Sequence, residues 1–215
     1  MRMKVGVDEN GTGAWAGPAI VTGVCMPEDW ACELRDSKDI KAHVHKFASV
    51  LLSLDHKVVW IEPEDIDEQG MMPCLIRAYR EIARHFQAKY PDCLIEIDGT
   101  RVPPRVRNCK GVPQGDQKVP HIQAAAIIGK STRDNFMTEQ ARLYPHYKWE
   151  TNAGYGTDQH REGLNRKGLT PLHRTSFKPV RKFLRIQPDP IGANPVTKGL
   201  YSAWKKNDPT KILPT

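Results

Sequence analysis

Short apolar runs alternate with longer helical patterns along the first two thirds of this chain. Four runs have the alternating or β-branched composition of strands: residues 3–8, 18–26, 57–62 and 93–98. Three longer segments carry apolar residues at helical spacing: 39–54, 72–90 and 120–142. Because strands that alternate with helices pack as a sheet covered by helices, the sequence predicts an α/β fold.

The last third of the chain is more polar and carries several glycines and prolines. Helices are expected at 157–167 and 179–184, so this part should form a small C-terminal helical subdomain. We therefore predict one domain over residues 1–186, of which about 145–186 is the helical part. The tail, 187–215, has too few apolar residues to form a core and is expected to be irregular.

The chain is basic. Lysine and arginine outnumber aspartate and glutamate by 32 to 25, which gives a formal net charge of +7. A basic surface favours a polyanionic partner such as nucleic acid, because phosphate neutralisation releases counterions. Charge that serves solubility alone is the other interpretation, and the charge does not decide between the two.

Cysteine usage and hydropathy bear on the compartment. The five cysteines are odd in number, and no two of them have the spacing of a zinc knuckle, which is typical of idle thiols in a reducing compartment. The sequence shows neither a signal peptide nor a run of about 18 apolar residues that would span a membrane. We expect a soluble cytoplasmic protein, a monomer without a membrane partner.

Two acidic residues, Asp8 and Glu9, stand where the first strand is expected to end. Side chains alternate faces along a strand, so both can reach one site only if the chain leaves regular β geometry there, as Asn10, Gly11 and Gly13 would allow. Acidic residues at strand ends are usually just solvated, so this pair alone is weak evidence for a site.

Two further acids strengthen the case for a site. Asp98 ends another buried strand, and ligands of open α/β sheets bind at the carboxyl edge of the strands. Asp116 stands at or just before the start of the long helix, where a helix cap is an alternative and compatible role. Clustered carboxylates repel one another unless cations neutralise them, so four of them together indicate bound metal.

The donor set indicates which metal such a cluster would bind. Oxygen ligands without histidine or cysteine favour Mg²⁺ or Mn²⁺ over zinc. Two ions about 4 Å apart can activate a water and stabilise the leaving oxygen of an in-line phosphoryl displacement. A basic chain with this site is a candidate nuclease.

Six motifs follow one another in a specific order. The chain reads VGVDENGTGAWAGP, then DSK at 36–38, IEIDG at 95–99 and GDQKVPHIQAAAIIGKSTRD. It continues with GYGTDQH at 154–160 and TPLHRTSFKPV at 170–180. This order resembles the type 2 ribonuclease H (ribonuclease HII) family from residue 5 to about residue 182.

The resemblance implies a ribonuclease H-like fold, in which helices flank a mixed central sheet. It also implies an enzyme that hydrolyses the RNA strand of RNA–DNA hybrids or ribonucleotides embedded in duplex DNA. Asp8, Glu9, Asp98 and Asp116 would be the catalytic quartet that binds two Mg²⁺ or Mn²⁺ ions, with Asp8 and Asp98 as central ligands. Water would be the nucleophile, leaving 5′-phosphate and 3′-hydroxyl ends.

Substrate-binding residues are implied as well. Tyr155 matches a family tyrosine that stacks on the sugar or base of the deoxynucleotide beyond the scissile bond, although it could also plug its loop. Asp134 matches an acid near the site, with a helix-surface ion pair as an equally weighted alternative. Four basic residues are expected to face phosphate, with a purely structural role open for the histidine: Lys38, Lys130, His173 and Arg174.

Three residues depart from the family pattern. Thr12, between Gly11 and Gly13, replaces the arginine of a loop that recognises the 2′-hydroxyl, so a guanidinium that could pair with phosphate or brace the loop is lost. Ala126 stands where serine is common, and Gly129 where alanine is usual. Our hypothesis is that hydrolysis of hybrids survives, while preference for a single embedded ribonucleotide, or the overall rate, is weakened.

Two other classes of protein remain open. A hybrid-binding or junction-binding protein with decayed chemistry is favoured by Thr12 and opposed by the four retained acids. Another nuclease or an integrase on the same fold would act on DNA, against which the GYG and TPLHRTSF segments argue. A requirement for ribose in the substrate would exclude this DNA-acting enzyme.

Overall fold

A computed structural model of the chain describes residues 2–28 and 53–184. Three predictions lie outside these residues: the helix at 39–54 except for its last two positions, the phosphate contact of Lys38, and the irregular tail at 187–215. The other predicted elements fall within the described ranges.

Within the described ranges, five strands form one mixed sheet. They are β1 (Met3–Asn10), β2 (Ala19–Pro27), β3 (Asp55–Ile61), β4 (Leu94–Asp98) and β5 (Cys109–Val112). Their order across the sheet is β3-β2-β1-β4-β5, antiparallel from β3 to β1 and parallel from β1 through β4 to β5. The first four confirm the predicted strands, whereas β5 was not predicted because four residues are too few to show a period of two.

Seven helices lie in the described ranges, with a single 3₁₀ turn at Pro145–Tyr147. They are α1 (Pro63–Gln69), α2 (Met71–Lys89), α3 (Gly115–Lys118), α4 (Pro120–Leu143), α5 (Trp149–Asn152), α6 (Asp158–Lys167) and α7 (Lys178–Arg181). Helices α2, α4 and α6 confirm the predicted helices to within a residue at each end. Helix α7 is shorter than predicted, and α1 was not predicted. The sheet with its flanking helices confirms the α/β class.

The chain divides into two compact units. The first comprises residues 1–12, 19–61 and 71–131. It contains the whole sheet, α2, α3 and the first half of α4. The second comprises residues 13–18, 62–70 and 132–215. Its described part contains the second half of α4 and the helices α1, α5, α6 and α7.

Two glycines let helices approach the sheet closely in the first unit. A Cβ at Gly23 of β2 would overlap Ile82 and Phe86 of α2, and a Cβ at Gly6 of β1 would overlap the backbone of His121 in α4. Gly6 and Gly23 lie on opposite faces, because Gly6 pairs with the residue that follows Gly23. Helix α2 therefore covers one face of the sheet and α4 the other.

A buried hydrogen bond between Glu96 and His121 fixes the start of α4 against β4. Glu96 of β4 is 5% exposed, and its Oε2 lies 2.7 Å from Nε2 of His121 in α4. Its Oε1 lies 2.9 Å from Nζ of Lys110 in β5. The hydrogen bond from His121, followed by that from Lys110, lowers the pKa of Glu96 to about 2. These contacts hold the strand that ends at Asp98 in a defined position against α4.

No helix in residues 2–28 and 53–184 is both long enough and apolar enough to cross a membrane. Four of the five cysteines lie in those ranges, and all four are free thiols. Burial raises the pKa of Cys25 to about 12 and that of Cys109 to about 11, so both thiols stay protonated. Such thiols are unreactive, as the sequence suggested.

Candidate active site

Strand β1 keeps regular geometry through Asn10, which still pairs with Ile20 of β2. The departure from regular geometry expected at Asp8 and Glu9 therefore does not occur, and the two side chains leave opposite faces of the sheet. Asp8 lies on the face of Gly6 that α4 covers, whereas Glu9 lies on the face that α2 covers. Asp8 and Glu9 therefore lie on opposite faces of the sheet near the C-terminal end of β1.

Asp8 is the centre of an acidic cluster. It is 7% exposed, and burial together with the charges of Glu9, Asp98 and Asp116 raises its pKa to about 8. The side-chain amide of Asn10 donates a long hydrogen bond of 3.4 Å to Asp8 Oδ2. Because each of the three other acids disfavours ionisation of Asp8, the cluster is a place where positive charge would bind favourably.

Glu9 is held by a residue that the sequence did not single out. Tyr79 of α2 is 3% exposed and donates its hydroxyl to Glu9 Oε2 at 2.7 Å. Burial raises the pKa of Glu9, and this hydrogen bond opposes the rise. The available signal was a phenol on the otherwise apolar face formed by Leu75, Ala78 and Ile82, since a buried hydroxyl needs a partner. Nothing in the sequence identified that partner.

The side chain of Asp98 accepts hydrogen bonds from the backbone at the start of α3. Its Oδ1 accepts the N–H of Gly115 at 2.7 Å and that of Asp116 at 3.3 Å. Asp116 lies in the first turn of the short helix α3. The sequence instead placed it at or just before the start of the long helix α4. The N-cap of α3 is Gln114, so the alternative role of Asp116 as a helix cap is wrong. Burial and the charge of Asp98 raise the pKa of Asp116.

The four acids fit a divalent cation in their chemistry, while their present spacing is wider than an ion requires. Carboxylate oxygens without histidine or cysteine suit Mg²⁺ or Mn²⁺. Among the residues that the structure describes, no three His, Cys, Asp or Glu side chains lie close enough together to hold one ion. Glu9 is turned towards Tyr79 and Asp98 towards Gly115. Binding of an ion therefore requires rotation of these side chains.

Close packing beside Asp8 explains one departure from the family pattern. A Cβ at Gly129 of α4 would overlap Asn10 Oδ1 and lie 2.7 Å from Thr22 Oγ1. An alanine at this position would therefore displace the Asn10 side chain that contacts Asp8. A larger residue at position 129 would thus require the Asn10 and Thr22 side chains to shift, whereas nothing in the structure explains Ala126.

Tyr155 projects from a fixed loop in the second unit. Its side chain is 43% exposed, so it does not plug the loop. The carbonyl of the preceding residue, Gly154, accepts the N–H of Trp15 at 2.8 Å. The guanidinium of Arg133 lies 5.6 Å from the centroid of the tyrosine ring. An exposed aromatic ring on a fixed loop is suited to stacking on a sugar or base.

Arg133 connects this loop to the segment that follows Gly13. The side chain is 2% exposed and donates to the carbonyls of Pro18 at 2.9 Å, Ala153 at 2.8 Å and Ala16 at 3.1 Å. Burial lowers its pKa. The sequence identifies Arg133 only as part of the RD motif. Its bracing role could not be predicted, because its three carbonyl partners lie far away in the sequence.

Two residues predicted to face phosphate are buried instead. His173 is 2% exposed, with Nδ1 bonded to Thr170 and Nε2 to His160. Arg174 is fully buried and donates to the carbonyl of Gly17 at 2.8 and 3.0 Å. A basic residue at a family position does not reveal whether its side chain reaches solvent. The structure gives both residues an internal role.

The remaining candidate residues differ in exposure. Lys130 is exposed on α4, whereas Asp134 is half-buried further along that helix. Gly11 has a φ of 77°, which favours glycine, and is followed by half-buried Thr12 and exposed Gly13. The first unit contains the four acids with Gly11, Thr12 and Lys130, and the second contains Gly13, Asp134, Tyr155, His173 and Arg174.

Acid is expected to destabilise the second unit through two buried histidines. Burial lowers the pKa of His160 to about 4 and that of His173 well below its ordinary value. In the unfolded chain these histidines bind protons below about pH 6.5, whereas in the folded chain they stay neutral. The free energy of unfolding therefore falls as the pH drops from about 6.5 towards 4. His160 alone contributes about 2 kcal/mol of this loss between pH 7 and pH 5.

Urea unfolding at several pH values measures this dependence. The free energy of unfolding should fall less steeply with acid in His160→Asn than in the parent protein. The exposed His146 provides the control, since His146→Asn should follow the parent curve. The same pH dependence in all three proteins would show that His160 is not the group responsible.

Comparison with known proteins finds relatives over most of the chain. A family model described as Ribonuclease HII matches residues 5–180. Ribonuclease HII of Francisella tularensis subsp. tularensis (strain WY96-3418) is 32% identical over 184 residues, which cover 84% of this chain and 97% of the relative. Ribonuclease HII of subsp. novicida (strain U112) is 31% identical over 184 residues, covering 84% and 98%.

Solved structures share the architecture. The match to a PCNA:RNase HII complex from Archaeoglobus fulgidus has a TM-score of 0.68 at 24% identity and covers 82% of this chain and 95% of that one. The match to Bst-RNase HIII in complex with Mn²⁺ has a TM-score of 0.66 at 19% identity and covers 86% and 70%. At these identities the likeness concerns the fold, and it confirms the expected ribonuclease H-like architecture.

Proposed function

Because this chain belongs to the ribonuclease HII family, we propose that it hydrolyses the RNA strand of RNA–DNA hybrids and ribonucleotides embedded in duplex DNA. The resemblance inferred from the motifs is confirmed, and the chain is a ribonuclease H-type endonuclease. The hydrolytic chemistry in this proposal rests chiefly on the cluster of Asp8, Glu9, Asp98 and Asp116, in which burial and the charges of the other three acids raise the pKa of Asp8. Its products carry 5′-phosphate and 3′-hydroxyl ends.

Asp8 and Asp98 are the central ligands in this proposal, and Glu9 and Asp116 flank them. Two bound Mg²⁺ or Mn²⁺ ions would activate water and neutralise charge on the scissile phosphate. Bst-RNase HIII, a fold neighbour, was solved with Mn²⁺, which supports the choice of metal. The donor set of four carboxylates supports it independently.

Residues of the chain itself hold two of these carboxylates by hydrogen bonds. Tyr79 fixes one oxygen of Glu9, and the N–H groups of Gly115 and Asp116 fix one oxygen of Asp98. An ion shared by the four acids would bind only after Glu9 and Asp98 rotate from these positions.

Tyr155 and the exposed Lys130 are the substrate contacts that the described residues support best. The ring of Tyr155 stacks on the sugar or base beyond the scissile bond, and Lys130 contacts phosphate. The formal charge of +7 favours binding of the polyanionic duplex. His173 and Arg174 do not contact phosphate in this proposal, because both are buried.

Thr12 is expected to weaken recognition of a single ribonucleotide. Restoring a guanidinium with Thr12→Arg should raise kcat/KM on a DNA duplex with one ribonucleotide by about tenfold, which corresponds to one charge-assisted contact. Activity on a long hybrid should change much less. Thr12→Lys is the control, since it restores charge without the fork of donors. An equal gain on both substrates would contradict a role in junction preference.

Cleavage of labelled duplexes with Mg²⁺ or Mn²⁺ tests the proposed function. The substrates are an all-DNA duplex, a long RNA–DNA hybrid and a DNA duplex with one ribonucleotide. We expect cutting only at ribonucleotides, with product ends that carry a 5′-phosphate. Cutting of all-DNA would indicate a different nuclease. Binding of the hybrid without any cutting would support the alternative of a binding protein, which Thr12 favours.

A further inference from the structure

Two histidines in the second unit form a buried pair outside the acidic cluster. His160 on α6 and His173 are 0% and 2% exposed, and their Nε2 atoms lie 3.0 Å apart. The pair is enclosed by the rings of Tyr147 and Trp149, with ring centroids 5.0 to 6.0 Å from those of the histidines. Both rings are too buried to reach a phosphate.

The hydrogen bonds around the pair assign the proton on each ring. Nδ1 of His173 accepts the backbone N–H of Thr170 at 2.9 Å, so the proton of the neutral ring is on Nε2. That Nε2–H donates to Nε2 of His160, which also accepts Trp149 Nε1–H at 3.3 Å. The proton of His160 is therefore on Nδ1, from which it donates to the carbonyl of Tyr155 at 3.0 Å.

This chain of hydrogen bonds ends on the main chain of Tyr155. The Tyr155 carbonyl also accepts the N–H of Thr157 at 2.8 Å, and the Tyr155 N–H donates to the carbonyl of Asn152 at 2.9 Å. The backbone on both sides of the tyrosine is thus fixed, while its ring stays exposed. A ring on a fixed backbone loses less entropy when it stacks on a nucleotide than a ring on a mobile loop.

We propose that His160 and His173 are positioning residues that orient the backbone of Tyr155 and so present its ring to the nucleotide. The inference rests on the substrate contact proposed for Tyr155. His173 acts through His160, because its anchoring at Thr170 selects the tautomer of His160 that can donate to the tyrosine carbonyl. Neither histidine touches the substrate.

The tautomers are measurable in the unmodified protein. Long-range ¹H–¹⁵N correlation spectra of histidine-labelled protein distinguish protonation at Nδ1 from protonation at Nε2. We expect His160 as the Nδ1–H form and His173 as the Nε2–H form, both neutral at pH 7.5. His160 as the Nε2–H form could not donate to Tyr155 and would overturn the inference. This measurement decides even if variants of the pair fail to fold.

A double-mutant cycle tests whether His160 acts through Tyr155. His160→Leu removes the donor, whereas His160→Asn keeps an N–H close to the position of Nδ1. On a duplex with one ribonucleotide, His160→Leu should raise KM about tenfold with kcat within about twofold, which is the size of one stacking contact. His160→Asn should stay near the parent. In the Tyr155→Ala background, His160→Leu should add less than about a twofold change, since its route of action is gone.

The outcomes separate two failures. If Tyr155→Ala lowers activity but His160→Leu costs the same in both backgrounds, the histidine pair does not act through Tyr155 and only this inference fails. If Tyr155→Ala leaves KM and kcat unchanged, the proposed stacking contact fails and the inference fails with it. Both proposals are supported if KM rises in His160→Leu but stays near the parent value in His160→Asn. In the Tyr155→Ala background, His160→Leu should then cause no further rise.

Discussion

Asp98→Asn is expected to lower cleavage at a ribonucleotide by about 10³-fold, because several kcal/mol of stabilisation by bound cations are lost from the transition state. The asparagine Oδ1 can still accept the N–H groups of Gly115 and Asp116 that Asp98 accepts now. The fold should therefore survive. Without metal, the thermal midpoint should be unchanged or higher, since one charge leaves a cluster of four acids.

Steady-state cleavage with Mg²⁺ and a thermal melt without metal measure the two halves of this prediction. Asp92→Asn is the matched control, because Asp92 is an exposed acid shortly before the same strand. It should leave both measurements unchanged. A variant at Asp98 that keeps more than about a tenth of the parent rate would exclude an essential role for this carboxylate.

Arg133→Met is expected to destabilise the protein by about 3–5 kcal/mol, because the carbonyls of Ala16, Pro18 and Ala153 lose buried donors. The methionine fills much of the volume but donates no hydrogen bond. Arg133→Lys should be intermediate, since one ammonium group cannot reach three carbonyls in three directions. The free energy of unfolding in urea measures both changes.

Arg142→Met on the same helix is the control for Arg133. The side chain of Arg142 is 73% exposed and pairs with Glu139 three residues earlier. Its substitution should change stability by no more than about 0.5 kcal/mol. If the two methionine variants were equally stable, the three carbonyl contacts of Arg133 would have no net energetic value.

The parts of the fold that could be predicted are those with strong periodicity. The strand ending at Asp98 and the long helix α4 have enough apolar residues to show periods of 2 and 3.6. Strand β5, with four residues, does not, although it forms the sheet edge beside Asp98. The ribonuclease HII motifs located the four acids, and their metal-binding role stays a prediction.

The contacts that position the site could not be predicted, because they join residues far apart in the sequence. Tyr79 reaches Glu9 across 70 residues, and Arg133 reaches Pro18 across 115. Burial is equally invisible in sequence, so the motifs predict phosphate contacts for His173 and Arg174 although both side chains are buried. The sequence identifies Gly129 as a departure, but only the structure shows that a Cβ there would overlap the Asn10 side chain.

The central claim, that Asp8, Glu9, Asp98 and Asp116 form a metal site, is tested most directly by Mn²⁺ titration of the metal-free protein. The signal of free Mn²⁺ in electron paramagnetic resonance reports binding without any need for activity. The parent protein and Asp92→Asn should bind Mn²⁺ alike, while Asp8→Asn and Asp98→Asn should raise Kd about tenfold or more. Equal Mn²⁺ binding by all four proteins would contradict the claim.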